Sequence, residues 1–163
     1  MRASESANAA ETGQIPANAD GVIPGKASSN LNWLSVTYQG KSGFVNTRYL
    51  AYGESVGGYR LPVRLQCSGT EPFWGIQIGY HRAEAEKNYE ETKQSLMLGD
   101  PIGALGQPNL WLLPSADPKD PNGFLLIEEE KCSDGMSETE YPYSLKVHMG
   151  GGLLSGCCMP SAQ

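Results

Sequence analysis

Leu65-Gln66-Cys67-Ser68-Gly69-Thr70-Glu71-Pro72-Phe73-Trp74-Gly75-Ile76-Gln77-Ile78 is the stretch whose reading decides the fold. Leu65 and Cys67 share one face of an extended segment. After the Gly-Thr-Glu-Pro turn, Trp74, Ile76 and Ile78 again share a face. Period-two alternation on both sides of a turn is the pattern of half-buried strands. Turns are dense elsewhere, because the 163 residues include 20 Gly and 11 Pro. Charged residues are 18% of the chain, below the roughly 25% of ordinary soluble domains. Many turns and few long charged faces predict an all-β chain with little or no helix.

Working downstream, Leu110-Trp111-Leu112-Leu113-Pro114 and Phe124-Leu125-Leu126-Ile127 read as buried strands. Residues 117–123 between them have the composition of a turn. Residues 143–149 and 153–157 flank Gly150-Gly151-Gly152, which predicts a terminal hairpin. Residues 82–97 carry two opposed signals. Their Ala, Glu and Lys favour a helix, whereas Ala83, Ala85 and Tyr89 fit period two and no 3.6-residue stripe is present. A strand with a polar face is the expectation there.

The four cysteines, with no Cys-x-x-Cys, suit an exported, disulfide-bonded domain. Adjacent residues on a strand point to opposite faces, so Cys157 and Cys158 each need a separate partner. Cys132 with Cys157 and Cys67 with Cys158 is the expected pairing, leaving no free thiol. A redox role for the vicinal pair would need an activating basic neighbour. In sequence, Lys131 and Lys146 are the basic residues near a cysteine, and structural bridges are the better reading.

Upstream, residues 2–14 are polar and read as loop or edge strand. Ile15-Pro16 and Val22-Ile23-Pro24 are apolar points on either side of the turn former Asn18-Ala19-Asp20-Gly21. In residues 32–38, Leu34, Val36 and Tyr38 lie on one face and Trp33 on the other. Residues 39–43 read as a hairpin loop, Phe44-Val45-Asn46 as the returning strand and residues 47–50 as its close. The Gly-rich residues 53–59 suit a linker, and residues 61–65 open a second unit. The expected organisation is a small barrel in 1–52, a linker in 53–59 and a disulfide-stapled β-barrel or sandwich in 60–163.

Two resemblances sharpen this. Met1-Arg2 with Ser6, then Gly13-Gln14-Ile15-Pro16, then the run from Trp33 to Leu50 with its closing Arg48-Tyr49-Leu50, resembles a bacterial SH3 domain. The family usually has Gly-Trp-Val in the returning strand, where this chain has Gly43-Phe44-Val45. The resemblance implies a small β-barrel of envelope and cell-wall proteins, in some members a binder of peptidoglycan peptides. The candidate ligand residues are Trp33, Tyr38, Phe44, Arg48 and Tyr49, although the aromatics among them also suit barrel core and rim. Over residues 60–160, Gly69–Trp74, Cys132–Ser137 with Tyr141-Pro142-Tyr143, and Leu154–Cys158 resemble an uncharacterised family of bacterial envelope proteins, often lipoproteins, found beside lysozyme-inhibitor-like modules. That implies an exported β-barrel without assigned chemistry. A lipobox cysteine is absent from the start of the sequence.

Several chemistries find no constellation. His81 and His148 lack metal-ligand spacing, and Asp134, Glu138 and Glu140 lack EF-hand alternation, so no metal is expected. Gly-x-Ser-x-Gly is absent. Glu71 with Asp134 is the one carboxylate pair to weigh for acid–base work; Glu71 fits better as a turn cap or as a partner of Arg60 or Arg64. No phosphate-cradling glycine loop is present, so no cofactor is expected and the chain does not read as an enzyme. The net charge of −6 disfavours nucleic acid, which needs a basic face. No apolar run approaches the roughly 20 residues that span a bilayer. Met1 leads straight into Arg-Ala-Ser-Glu-Ser, without a signal peptide, so the chain reads as a mature form whose Met1 stands in place of an export signal. The expectation is a periplasmic or secreted binding protein whose partner is peptidoglycan or an envelope protein. The alternative is an inhibitor or sensor of a basic extracellular protein such as lysozyme.

Overall fold

The alternating segments become strands throughout. The computed structural model describes residues 1–17, 19–52, 59–87 and 93–161, with Lys87 described by its backbone alone. β1 (Ile23–Ala27), β2 (Trp33–Tyr38) and β3 (Lys41–Asn46) form an antiparallel sheet in the order β1-β2-β3, and a 3-10 turn, Thr47–Tyr49, follows. Residue 2 adds isolated bridges to Phe44 and to Glu11. The expected five-residue hairpin loop is shorter in fact. Gln39 and Gly40 take φ of 49° and 76° and turn alone, so Tyr38 pairs with Lys41 and Thr37 with Ser42. Two central residues at positive φ match the right-handed twist of a hairpin, which draws 41–43 into the strand.

The second sheet comprises β4 (Leu65–Thr70), β5 (Phe73–Gly79), β6 (Arg82–Lys87), β7 (Gln94–Met97), β8 (Ile102–Ala104), β9 (Gln107–Pro114), β10 (Phe124–Ser133), β11 (Glu140–Met149) and β12 (Gly152–Pro160). Its order is β7-β6-β5-β4-β12-β11-β10-β9-β8, with antiparallel pairing throughout. The sheet curls until its ends meet. Leu98 bridges Ser115, the Gly99 amide donates to the Pro114 carbonyl and the Ala116 amide to the Met97 carbonyl, each at 2.8 Å. Closure of this kind removes a free edge.

Residues 82–87 and 94–97 are strands, as the period-two signal required; Tyr89 lies outside the described residues. Ala83 and Ala85 are buried against Ile78 and Ile76 of β5, and that burial overrides the helical propensity of the charged positions between them. Leu65, Cys67, Ile76, Ile78, Trp111, Leu113, Leu125, Ile127, Leu145 and Val147 complete one inner core.

One register row explains the glycines of the motifs. Trp74 pairs with Gly69 on β4, and Leu145 with Gly156 on β12. A Cβ on Gly69 would overlap the Trp74 ring, and one on Gly156 would lie 2.7 Å from Trp74 Cζ2 and overlap the Ser68 carbonyl oxygen. The indole, buried in the core, thus occupies space that only glycine leaves. Gly69, Trp74 and Gly156 are one packing device.

The disulfides join Cys67 to Cys158 and Cys132 to Cys157, the expected pairing, with the two neighbours on opposite faces of β12. Cys67 and Cys158 face each other directly in the ladder, on the core side. Cys157 points outward yet is buried. A bulge between Glu129 and Cys132 carries the β10–β11 hairpin across the outer face, so that Cys132 reaches β12 and Thr70 Oγ1 donates to the Asp134 carbonyl at 3.4 Å.

The two sheets interlock. Residues 61–63, read from sequence as the opening of the second unit, hydrogen-bond residues 50–52 of the first: Tyr52 amide to Leu61 carbonyl and Val63 amide to Leu50 carbonyl, both 2.9 Å. Leu31, 1% exposed, seats its side chain over Gly79, where a Cβ would come within 2.9 Å. Thr47 Oγ1 fixes that loop by donating to the Leu31 carbonyl at 2.7 Å, and the Arg82 guanidinium donates to the Ser29 carbonyl.

Candidate functional site

The segment before β1, Val45 of β3 and the 3-10 turn border an open groove of about 830 Å³. Ile15, Val22, Val45 and Leu50 give it apolar walls, Asp20, Arg48 and Arg60 its charges, and Tyr49, Tyr52 and Pro62 its remaining flat surfaces. The turn that carries Arg48 and Tyr49 is set by Asn46, whose side-chain oxygen accepts the Arg48 amide at 3.1 Å. The Arg48 guanidinium lies 4.5 Å from the Tyr49 ring centre and donates to its hydroxyl. Cation and ring therefore form one unit, with the ring 70% exposed, a cation–π arrangement that holds a charge at a surface. Burial, and then the charge of Arg48, push the Arg64 guanidinium below its ordinary pKa.

The five residues expected to bind ligand do not meet at one place. Arg48 and Tyr49 line the groove. Trp33 and Phe44 lie one register step apart on the outward face of the three-stranded sheet, while Tyr38 lies on the same face as Leu34 and Val36. Trp33 and Phe44 are half-buried, with Arg2 paired beside Phe44 and its guanidinium 3.6 Å from Glu11.

Val22, Leu50, Ala51 and Tyr52 also line an adjoining, equally open apolar pocket of about 250 Å³, bounded on its far side by Leu34, Val36, Val63 and Tyr80. Tyr52 stacks on Tyr80 with ring centres 5.9 Å apart. Its hydroxyl is buried and, among the described residues, has no hydrogen-bond partner within ordinary distance. Burial pushes the Tyr52 pKa up to about 12; the nearby His81 backbone opposes the shift, and Tyr80 and Asp100 add to it. Sequence alone gave no sign of this pocket, because its walls come from both units.

At the loop end of the larger barrel, Asp134 is an acceptor that shapes the Cys132–Ser137 turn. One oxygen takes the Met136 and Ser137 amides at 2.9 and 2.8 Å, and the other takes the Ser137 and Tyr141 hydroxyls at 2.9 and 3.2 Å. Donation by the Ser137 amide, then the Met136 amide, then the Ser137 hydroxyl, holds its pKa down to about 2. A carboxylate so satisfied is a poor proton donor near neutrality. A group depressed in the folded state contributes its full stability above its ordinary pKa of 3.8 and loses it as pH falls through about 2. The expected result is that the Met136 and Ser137 amide resonances hold their shifts from pH 7 to about 4 and titrate together near 2; a midpoint near 4 would refute the arrangement.

Among the described residues no group of three or more His, Cys, Asp or Glu side chains is placed to hold a metal ion. His81 Nδ1 sits 3.1 Å from the Leu98 carbonyl and His148 Nδ1 3.0 Å from that of Asn122, so both rings are tied to local backbone. Among the described residues no helix is long and apolar enough to cross a membrane.

Fold and site together define a class: an all-β protein of two interlocked sheets, the larger curled and stapled by two disulfides, with an open groove at the junction. No family model, curated protein or solved structure matches the chain.

Proposed function

We propose that this is an exported, non-enzymatic binding protein of the bacterial cell envelope, and that its groove takes a peptide segment of peptidoglycan. The observation that supports this is the groove itself, with a guanidinium held over an exposed phenol ring beside apolar walls. Wall peptides present carboxylates and amides among small apolar side chains. Arg48 suits the carboxylate, while Tyr49, Val45 and Leu50 suit the apolar parts. Two disulfides with no free cysteine fit an oxidising compartment.

Sedimentation with purified cell-wall sacculi tests the reading. The parent is expected in the pellet at low salt. Arg48→Ala should weaken retention by about tenfold, the worth of one hydrogen-bonded charge, whereas Trp33→Ala, outside the groove, should leave it unchanged. A parent protein that stays in the supernatant would rule out wall binding.

A second reading has its own observation. Phe73 and Met136, 51% and 69% exposed, project from the two turns joined by Thr70 and Asp134, and Glu71 and Glu138 are exposed on the same turns. An apolar tip ringed by carboxylates suits a basic protein partner such as lysozyme. Loss of muramidase activity on addition of the protein, without sacculus retention, would favour it.

A further inference from the structure

The outer face of the nine-stranded sheet is of two kinds. On β4 to β7 it is mostly polar, with Gln66, Gln77, Glu84 and Ser95, and its exposed apolar residues Phe73 and Met97 stand at strand ends. On β8 to β10 that alternation fails. Ile102, Leu110, Leu112, Phe124 and Leu126 all point outward, opposite the buried Trp111, Leu113, Leu125 and Ile127. An antiparallel sheet with one solvated face reads apolar-in and polar-out, and strands apolar on both faces belong to sheets covered on both. The register makes this one patch: Ile102, Leu112 and Leu126 share a row, and Pro114, Phe124, His148 and Leu153 the next. Patches of this kind mark association sites.

We propose that a second copy of this chain covers the patch, the two sheets packing face to face about a two-fold axis. The charges within the patch select this occupant. Lys146 lies directly across from Leu126 on β11, and Glu128 lies two residues along β10 on the same face. Gln107 Nε2 steadies Glu128 by donating to Oε1 at 2.6 Å. An axis in the plane of the interface, passing over Leu126 and bisecting those two directions, lays each Lys146 on the Glu128 of the other copy. Leu126 then meets its counterpart on the axis, and each Leu112 meets the Phe124 of the other copy. The strands of the two sheets cross near 90°, one of the two usual angles for packed sheets. Such self-complementarity, with opposite charges exchanged by the axis, is what an isologous contact demands. A lipid surface fits less well, since the chain carries −6 and Glu128 sits within the patch.

Sedimentation equilibrium of the full chain tests the proposal. The parent is expected to dimerise reversibly at micromolar concentration, and Leu126→Glu to be monomeric with an unchanged far-ultraviolet spectrum. Lys146→Glu and Glu128→Lys should each raise the dimer dissociation constant by about tenfold. The double swap should restore it, a rescue that a merely structural effect of either residue would not produce. Three results would overturn the proposal: a parent monomeric to about 1 mM, the limit of weak association; a dimer indifferent to Leu126→Glu and to both swaps; or a monomer that floats with zwitterionic phosphatidylcholine vesicles, which would give the face to lipid.

Discussion

Replacing Cys67 and Cys158 together by Ala should lower the unfolding free energy by about 4–5 kcal/mol, from the loop-closure relation for cross-linked chains. The bridge joins positions 91 residues apart, so without it the unfolded chain gains freedom across the whole larger barrel. The Cys132–Cys157 bridge spans 25 residues and should be worth about 3.5 kcal/mol by the same relation. Against a typical total of about 5–15 kcal/mol, either loss is large, and the first brings the chain close to the folding threshold. Urea unfolding of the two double variants checks the order. A drop below about 1 kcal/mol for the longer loop would mean that the unfolded ensemble is already compact. The bridges should also differ in reducibility. Cys67, Cys157 and Cys158 are at most 2% exposed, whereas Cys132 is half-buried at the end of a crossing hairpin. Because thiol attack depends on access, dithiothreitol without denaturant should open Cys132–Cys157 first, as peptide mapping after thiol blocking would record.

What the sequence made legible was whatever depended on period and on covalent arithmetic. Leu65–Ile78 alternates as read, and β11 and β12 flank a turn in which Gly150 and Gly151 have φ of 59° and 78°. Opposite-facing neighbours on one strand gave Cys157 and Cys158 separate partners, and the short loop around the terminal hairpin, 25 positions, chose Cys132 for Cys157. What stayed hidden depended on contacts far apart in the chain. Leu31 is a lone apolar residue in a polar turn, and nothing local says that it fills the space over Gly79, 48 positions later. The runs 110–114 and 124–127 read as wholly buried, yet only Trp111, Leu113, Leu125 and Ile127 are; a continuous apolar run shows that both faces are apolar without showing which is covered. The site divided likewise. Arg48 and Tyr49 were legible from the closing turn of a small barrel. Tyr52 and Arg60 complete the groove from beyond it; Trp33 and Phe44 were set aside from it by strand parity, which a hairpin loop assumed three residues too long did not display, and Tyr38 by its place at the hairpin end of β2.

Gly156→Ala should lower stability by about 3 kcal/mol, the upper end of the usual cost of overpacking, and the melting temperature by about 10 °C for a chain of this size. The reason is geometric: the new methyl would overlap the Ser68 carbonyl oxygen on β4 as well as approach Trp74. Backbone held in a ladder cannot yield as a side chain can. Gly103→Ala is the control, because a Cβ there meets nothing within 4 Å, and surface changes of that kind stay within about 0.5 kcal/mol. Trp74→Leu shrinks the indole and separates the two glycines. Gly69→Ala clashes first with Trp74, whose ring supplies the three nearest atoms to its Cβ. Gly69→Ala should therefore be costly in the parent and nearly free in the Trp74→Leu background, a coupling that a double-mutant cycle reads directly. Gly156→Ala should keep most of its cost in that background, because the Ser68 carbonyl remains. If Trp74→Leu rescued both glycine variants equally, the backbone clash would not be the cause, and the row from Trp74 to Leu145 would be held open by the indole alone.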